Sequence, residues 1–346
     1  MFHKNKFIII IPIIACFVIA ILTSSIFVQA EDGNQNSDSQ KYIKWVKFNI
    51  PSEAMEKALK ADIENNDGEH KTPFVTLLSL LGAKYWGEWE KYKAKDMDYF
   101  IDKLKSGESE SSLSQNYEKF PYFQQVYQAI FAQMIGKYQI SKETDPNGKP
   151  IFEEKYGLKA YSPIAYGYKF SHCRDFGNSR SFGYRRNHLG NDLMTQTGTP
   201  IVAVESGIVA KCAWNKYGGW RIGIRSFDGQ RYYYYAHCQK DHPFVDGLKE
   251  GDTVCAGQPI AYVGMTGYST KENVNGMQKP HLHFGMQLIF DPSQEEGKNE
   301  IWIDVYDIVN FLEHHKSVLE KKPESKDYKT KYIFEDPTYR KYVKSM

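Results

Sequence analysis

Two of the ten histidines of this chain stand one residue apart, in Pro280-His281-Leu282-His283-Phe284. In a strand, residues i and i+2 share a face, so His281 and His283 look into one groove while Leu282 and Phe284 turn into a core. Upstream, His188-Leu189-Gly190-Asn191-Asp192 sets an imidazole and a carboxylate four residues apart, and Tyr235-Ala236-His237 ends an aromatic run. Gly190 and Asn191 favour a turn over a helix, which folds His188 and Asp192 back towards one point. Imidazole nitrogens with one carboxylate oxygen lie within the ligand set of zinc. The third ligand must come from a distant strand, and His283 is the best offer. Three protein ligands leave one position open, the arrangement of a catalytic rather than a structural zinc. Such a site turns water into a nucleophile at neutral pH. Proton transfer then needs a free base nearby, and His281 and His237 are the candidates.

The elements that must carry these residues are short strands. Beyond Thr144-Asp145-Pro146-Asn147-Gly148-Lys149-Pro150, a boundary by its density of turn residues, the apolar period becomes two and glycine is frequent. Strands are expected over Pro200 to Val204, Gly207 to Trp214, Trp220 to Phe227, Arg231 to Cys238, Asp252 to Cys255, Pro259 to Gly264 and His281 to Phe290. Many short strands without intervening helices predict a sandwich or curled sheet. Alternation along Tyr232 to Tyr235 puts Tyr233 and Tyr235 on the His237 face, as candidates to line a cleft, and turns Cys238 into the core. Val305 to Leu319 reads as one amphipathic helix, with His314 and His315 on its surface. The charged, Tyr-rich residues beyond Lys321 read as a loosely held tail.

Lys41 to Ile140 has helical periodicity and no catalytic constellation. Ser52 is placed to cap a helix over Glu53 to Asn65, and Thr72-Pro73 reads as a cap followed by a first-turn proline. Asp96 opens a third helix, stopped by Gly107, and Tyr122 to Ile135 forms a fourth. This region has its own apolar faces, and its removal is expected to leave a folded catalytic domain of equal or higher activity.

The region from about Tyr161 to Ile289 resembles the M23 family of zinc metallopeptidases, the lysostaphin and LytM type of peptidoglycan endopeptidase. The resemblance rests on the H-x-x-x-D of His188 and Asp192, the strand end Ala236-His237 and the H-x-H of His281 and His283. It rests also on Gly198-Thr199-Pro200-Ile201-Val202-Ala203, Glu205-Ser206-Gly207-Ile208-Val209, Gly251-Asp252-Thr253-Val254 and Val263-Gly264-Met265-Thr266-Gly267. It implies zinc held by His188, Asp192 and His283, with His237 and His281 as the catalytic pair. All five positions are filled, which favours an active enzyme. The implied fold is a β-rich catalytic domain with an antiparallel sheet groove, preceded by a small α-helical domain. The implied function is a zinc-dependent endopeptidase hydrolysing cross-links or stem peptides of bacterial peptidoglycan; the alternative is a non-catalytic, membrane-anchored scaffold that binds peptidoglycan or a morphogenesis partner. His172, in the loop Ser171 to Gly177, is not needed as a further ligand. Asn178 stands near the place of an inhibitory asparagine in some latent relatives, and Ser269 to Lys279 is expected to wall the cleft.

Over 346 residues the net charge is +2, so composition gives no push towards nucleic acid. Lys4 and Lys6 precede an apolar run from Phe7 to Val28, long enough to span a bilayer, and Val28-Gln29-Ala30 resembles a cleavage site. Residues 1–30 are therefore expected as a signal peptide or membrane anchor, residues 31–40 as a linker, 41–145 as the helical domain, 146–325 as the peptidase domain with its helix, and 326–346 as the tail. Basic residues before the apolar run and Glu31 and Asp32 after it place the bulk of the chain outside the cytoplasm, anchored facing the wall or secreted. Of the five cysteines, the four beyond the apolar run can pair in three ways, buried thiols being the plainer reading. Oligomeric state is not legible.

Overall fold

The computed structural model describes residues 42–295 and 299–345; the expected signal or anchor segment and the linker after it lie outside the described residues. Helices come first: α1 (Ser52–Asn65), α2 (Phe74–Lys84), α3 (Ala94–Lys105), α4 (Glu110–Ser114) and α5 (Phe120–Phe131). In α1, Ala54, Met55, Ala58 and Ala61 recur at helical spacing and are all buried. Ser52 does not cap this helix. It is the first helical residue, and Pro51 stands at the cap without a side-chain bond. Thr72 does not cap α2 either, because its hydroxyl donates to the Ala61 carbonyl (2.8 Å). The free Phe74 N–H goes instead to Asp62 of α1 (3.0 Å), so the cap is tertiary and spacing could not reveal it. Among the described residues no helix is long and apolar enough to cross a membrane.

The period of two begins earlier than expected, with β1 (Ile135–Thr144) and β2 (Pro150–Leu158). The turn-rich segment between them closes a hairpin: Asp145 accepts the N–H groups of Asn147 (2.9 Å) and Lys149 (2.8 Å). The strands that follow are β3 (Ser179–Phe182), β4 (Tyr184–Asn187), β5 (Asn191–Met194), β6 (Pro200–Val202), β7 (Gly207–Asn215), β8 (Gly219–Ser226), β9 (Arg231–Ala236), β10 (Thr253–Val254), β11 (Pro259–Tyr262), β12 (His281–Leu288) and β13 (Ile301–Ile303). The main sheet runs β10-β7-β8-β9-β12-β13, with β5 also on β12, and every pairing in it is antiparallel. The β-rich, antiparallel architecture with helices ahead of it is therefore as expected.

Helix α6 (Tyr306–Glu313) is shorter than the helix expected there. His314 is exposed, but His315 is not a free surface residue: its ring stacks on Tyr161 (centroids 4.4 Å apart). The expected loose tail is structured instead, as β14 (Leu319–Lys321), β15 (Tyr328–Thr330), β16 (Ile333–Glu335) and α7 (Pro337–Ser345). Strand β16 pairs with β1. Buried Asp327 accepts from the Tyr262 hydroxyl (2.9 Å), and buried Asp336 pairs with Lys159 (3.0 Å). Anchors made of buried acids leave no hydropathy signal.

Helices and sheet share one hydrophobic core, and residues 42–346 form one compact unit. Phe74 of α2 stacks on Phe311 of α6 (6.0 Å). Arg231 at the start of β9 is fully buried, bonds both oxygens of Glu205 (2.9 and 3.0 Å) and donates to the Ala129 carbonyl of α5. The described cysteines Cys173, Cys212, Cys238 and Cys255 are free thiols, and Cys238 points into the core as alternation requires.

Candidate metal centre

Strand β12 positions the centre. Leu282 and Phe284 are fully buried, which turns His281 and His283 to the opposite face. The register sets His283 opposite Asp192 of β5 on one side and Ala236 of β9 on the other. The turn entering β5 passes so close that a Cβ at Gly190 would lie 2.6 Å from the Phe284 oxygen and 2.7 Å from His283 Nε2. Only glycine lets this backbone bring His188 over the strand.

Three donor atoms converge there. His188 Nε2 lies 2.8 Å from His283 Nδ1 and 3.0 Å from Asp192 Oδ1, and His283 Nδ1 lies 3.1 Å from that oxygen. His188 Nδ1 faces the Asp175 carbonyl (3.0 Å), which can only accept, so the proton of the neutral ring sits there and Nε2 carries a lone pair. An ionised carboxylate also offers only lone pairs. Such a triangle is repulsive unless a cation or a proton sits within it. A tetrahedral zinc with ligands at 2.0–2.1 Å needs donor atoms about 3.3 Å apart, close to the edges found. The residues fit zinc. Burial alone would raise the Asp192 carboxyl, but the bonds and charges of His188 and His283 outweigh it and hold it well below the usual carboxylate range. Burial lowers His283, with Asp192 opposing.

His237 and His281 flank this cluster, their rings 4.8 Å apart. His237 Nδ1 donates to the Thr266 carbonyl (2.8 Å) and His281 Nδ1 to the Lys279 carbonyl (2.9 Å). Both Nε2 atoms therefore carry lone pairs. His281 Nε2 is buried without a hydrogen-bond partner among the described residues, 3.8 Å from Asp192 Oδ1. Burial, then the neighbouring His281 and His283, push His237 down to about 3. His237 also holds a left-handed backbone (φ 61°), uncommon for a non-glycine residue. Main-chain bonds to Gly218 (2.8 Å) and from Gly264 (2.9 Å) pin it. That twist breaks the alternation of β9. Tyr233 and Tyr235, expected at the cleft, lie in the core instead, and Tyr234 presents its ring to His283 (5.7 Å).

His172 is occupied elsewhere, by Asn191 Oδ1 (2.5 Å) and Asn310 Oδ1 (2.9 Å). Asn178 is exposed and meets His188 through its main chain (2.9 Å). Two residues were not foreseen. Asp175 supports His188 and Asn191, and Arg180 of β3 bonds both Asp175 (3.2 Å) and Asp192 (3.1 Å). Arginine offers no motif that marks it. A second acid and imidazole group, His242, Asp246 and Asp327, is satisfied internally: Asp327 takes bonds from Tyr262, His242 (3.2 Å) and the Asp246 N–H (3.0 Å).

Residues 186–296, which include all three candidate ligands and both flanking histidines, match peptidase family M23. The chain thus carries an M23 peptidase domain, as its motifs led one to expect. Among curated relatives, the L-Ala–D-Glu endopeptidase of Bacillus subtilis (strain 168) is 36% identical over 144 residues, covering 42% of this chain and 41% of that protein. Lysostaphin of Staphylococcus simulans is 40% identical over 98 residues, covering 28% of this chain and 17% of its own length. The chain therefore spans well under half of either relative. A crystal structure of a putative glycyl-glycine endopeptidase lytM from Ruminococcus gnavus superposes with a TM-score of 0.53 at 23% identity, over 77% of this chain and 89% of that one, and shares the fold.

Proposed function

We propose that the chain is a zinc-dependent endopeptidase that hydrolyses peptide bonds of bacterial peptidoglycan, in cross-links or stem peptides, outside the cytoplasm. The observation that carries this reading is the convergence of His188 Nε2, Asp192 Oδ1 and His283 Nδ1 beside two further imidazoles whose Nε2 atoms are free to act as bases. The name of one relative, an L-Ala–D-Glu endopeptidase, supports the substrate class.

His188, Asp192 and His283 would hold the ion. When bound, zinc supplies a Lewis acid for the amide oxygen and lowers the pKa of water to about 7. His281 Nε2 takes a proton from the attacking water, its ring fixed by the bond from Nδ1 to Lys279. His237 Nε2, which also carries a lone pair, offers a second acceptor for the protons of that water, and its pinned backbone keeps the ring in place. Both protons of the water pass to the leaving nitrogen, so amide and water become a carboxylate and an ammonium. Asp175 and Arg180 orient His188 and Asp192 without touching substrate.

The test pairs metal analysis with turnover on purified sacculi. About one zinc per chain is expected, with soluble fragments bearing new amine ends, and Asp192→Ala loses metal and turnover together. Full zinc occupancy in that variant would refute the ligand set. A zinc-loaded wild type that binds sacculi without releasing fragments would refute the enzyme in favour of a scaffold.

A further inference from the structure

The β3–β4 hairpin pairs Arg180 with Arg186 and Phe182 with Tyr184 across its strands. Residues opposed in this way share a face. Arg180 reaches Asp192, so that face looks into the cleft. Phe182 stacks on Tyr268 (5.1 Å, 12°), and Tyr184 meets Tyr217 edge-on (5.6 Å, 88°). The Arg186 guanidinium lies 4.7 Å from the Tyr217 ring and 5.1 Å from that of Tyr268, which is itself 6.2 Å from the His237 ring. From β8, the Arg221 guanidinium lies 5.8 Å from Tyr234, the tyrosine set against His283. Each arginine is thus one aromatic ring away from a histidine of the centre.

Their charges are not balanced as that of Arg180 is. Among the described residues neither Arg186 nor Arg221 forms an ion pair, and each has a buried nitrogen without an acceptor, Nη1 of Arg186 and Nε of Arg221. An aromatic ring engages the face of a guanidinium and leaves its in-plane N–H groups seeking an oxygen. The Glu250 carboxyl, held below its ordinary value first by the Cys212 N–H (3.0 Å), then by Lys211 (3.6 Å) and last by the charge of Arg221, forms no ion pair with Arg221. Burying such donors unpaired is costly, and a planar carboxylate is the partner their fork geometry matches.

We infer that Arg186 and Arg221 form a carboxylate-binding subsite that selects a peptide bearing a free carboxylate close to the scissile amide. The inference rests on the endopeptidase reading above and narrows it. A glutamyl residue with one carboxyl committed to the scissile amide or to the chain still carries a second, whereas a glycyl bridge carries none. Through these rings each arginine lies at most about 12 Å from a histidine of the centre, the reach of about four extended residues, so an acidic stem peptide can occupy the centre and the subsite together.

The test uses the zinc-loaded full chain and two synthetic peptides, L-Ala–γ-D-Glu–L-Lys amide with the D-Glu α-carboxylate free and the same peptide with that group as the carboxamide. One charge-assisted contact predicts a preference for the acid of about tenfold to a hundredfold in kcat/KM, carried in KM. Arg186→Gln and Arg221→Gln each bring that ratio towards one, while Arg186→Lys and Arg221→Lys keep part of it, which separates a lost charge from a damaged fold. Equal wild-type rates on acid and amide would overturn the subsite and leave the endopeptidase reading standing. Calorimetric binding of the same two peptides reads the subsite without turnover: a preference for the acid in a protein that cleaves nothing would uphold the subsite and remove the enzyme, and equal affinities would overturn the subsite.

Discussion

Replacing His281 with alanine separates proton transfer from metal binding within a single strand. The three converging donor atoms belong to His188, Asp192 and His283, so His281→Ala leaves them in place and about one zinc per chain is expected to remain. What disappears is the buried Nε2 that lies 3.8 Å from Asp192 Oδ1 with no hydrogen-bond partner among the described residues. A positioned acid–base group contributes about 10²- to 10⁴-fold, so kcat falls by that factor, a barrier increase of about 2.7–5.5 kcal/mol, with KM little changed. Loss of the bond to the Lys279 carbonyl costs about 1 kcal/mol of stability, enough to lower the melting temperature but not to unfold the chain. His283→Ala instead removes a donor and loses zinc, and turnover falls with it. The assay is metal content by mass spectrometry on dialysed protein, with kcat and KM on a defined stem peptide. If His281→Ala lost zinc as completely as His283→Ala, or kept turnover within tenfold of wild type, the assignment of base and ligand would be wrong.

Three other outcomes follow from the packing. Arg231→Met should destabilise the protein by about 3–5 kcal/mol in urea, because it strands the buried Glu205 carboxylate; a loss under 1 kcal/mol would contradict this. Burial raises the Asp228 carboxyl, but Arg231 and the bonds from Ser226 and Gln230 outweigh it and hold it below its ordinary value. Its contribution is therefore present above the unfolded value of about 3.9 and lost as pH falls through the lower folded value, so the melting-temperature gap between wild type and Asp228→Asn should close below about pH 4; a gap that widens there would reverse the sign. Contrary to the expectation that the helical region can be removed without unfolding the rest, deleting residues 42–131 should abolish the cooperative melt, since it uncovers Phe311 and removes the carbonyl that Arg231 meets; a soluble, cooperatively folding remainder would restore that expectation.

The candidate site was legible because its spacings are short-range. Residues i and i+2 of β12 share a face whatever surrounds them, and the turn at Gly190 is written in the residue itself. The two tyrosines were misplaced because alternation holds only while the backbone stays extended, and His237 leaves that region at the end of β9. Nothing local to Tyr-Tyr-Tyr-Tyr-Ala-His announces the bonds to Gly218 and from Gly264 that impose the twist. Asp62 as the cap of α2, Arg180 on Asp192 and Lys159 on Asp336 are likewise contacts between residues distant in sequence. Periodicity carries the faces of elements, and it carries no information on which polar side chain will cross between them.

Pairing of β16 with β1 has a consequence for the order in which the molecule can be completed. Residues 333–335 pair with residues 139–141, and Asp336 neutralises Lys159, so the first hairpin of the β region lacks an edge and a counter-charge until residues 333–336 have been translated. Long loop closures of this kind are slow to form. A nascent chain therefore emerges with the strands of the candidate centre already translated but with one exposed edge and one unpaired lysine, and the fold closes late, when the two ends of the β region meet.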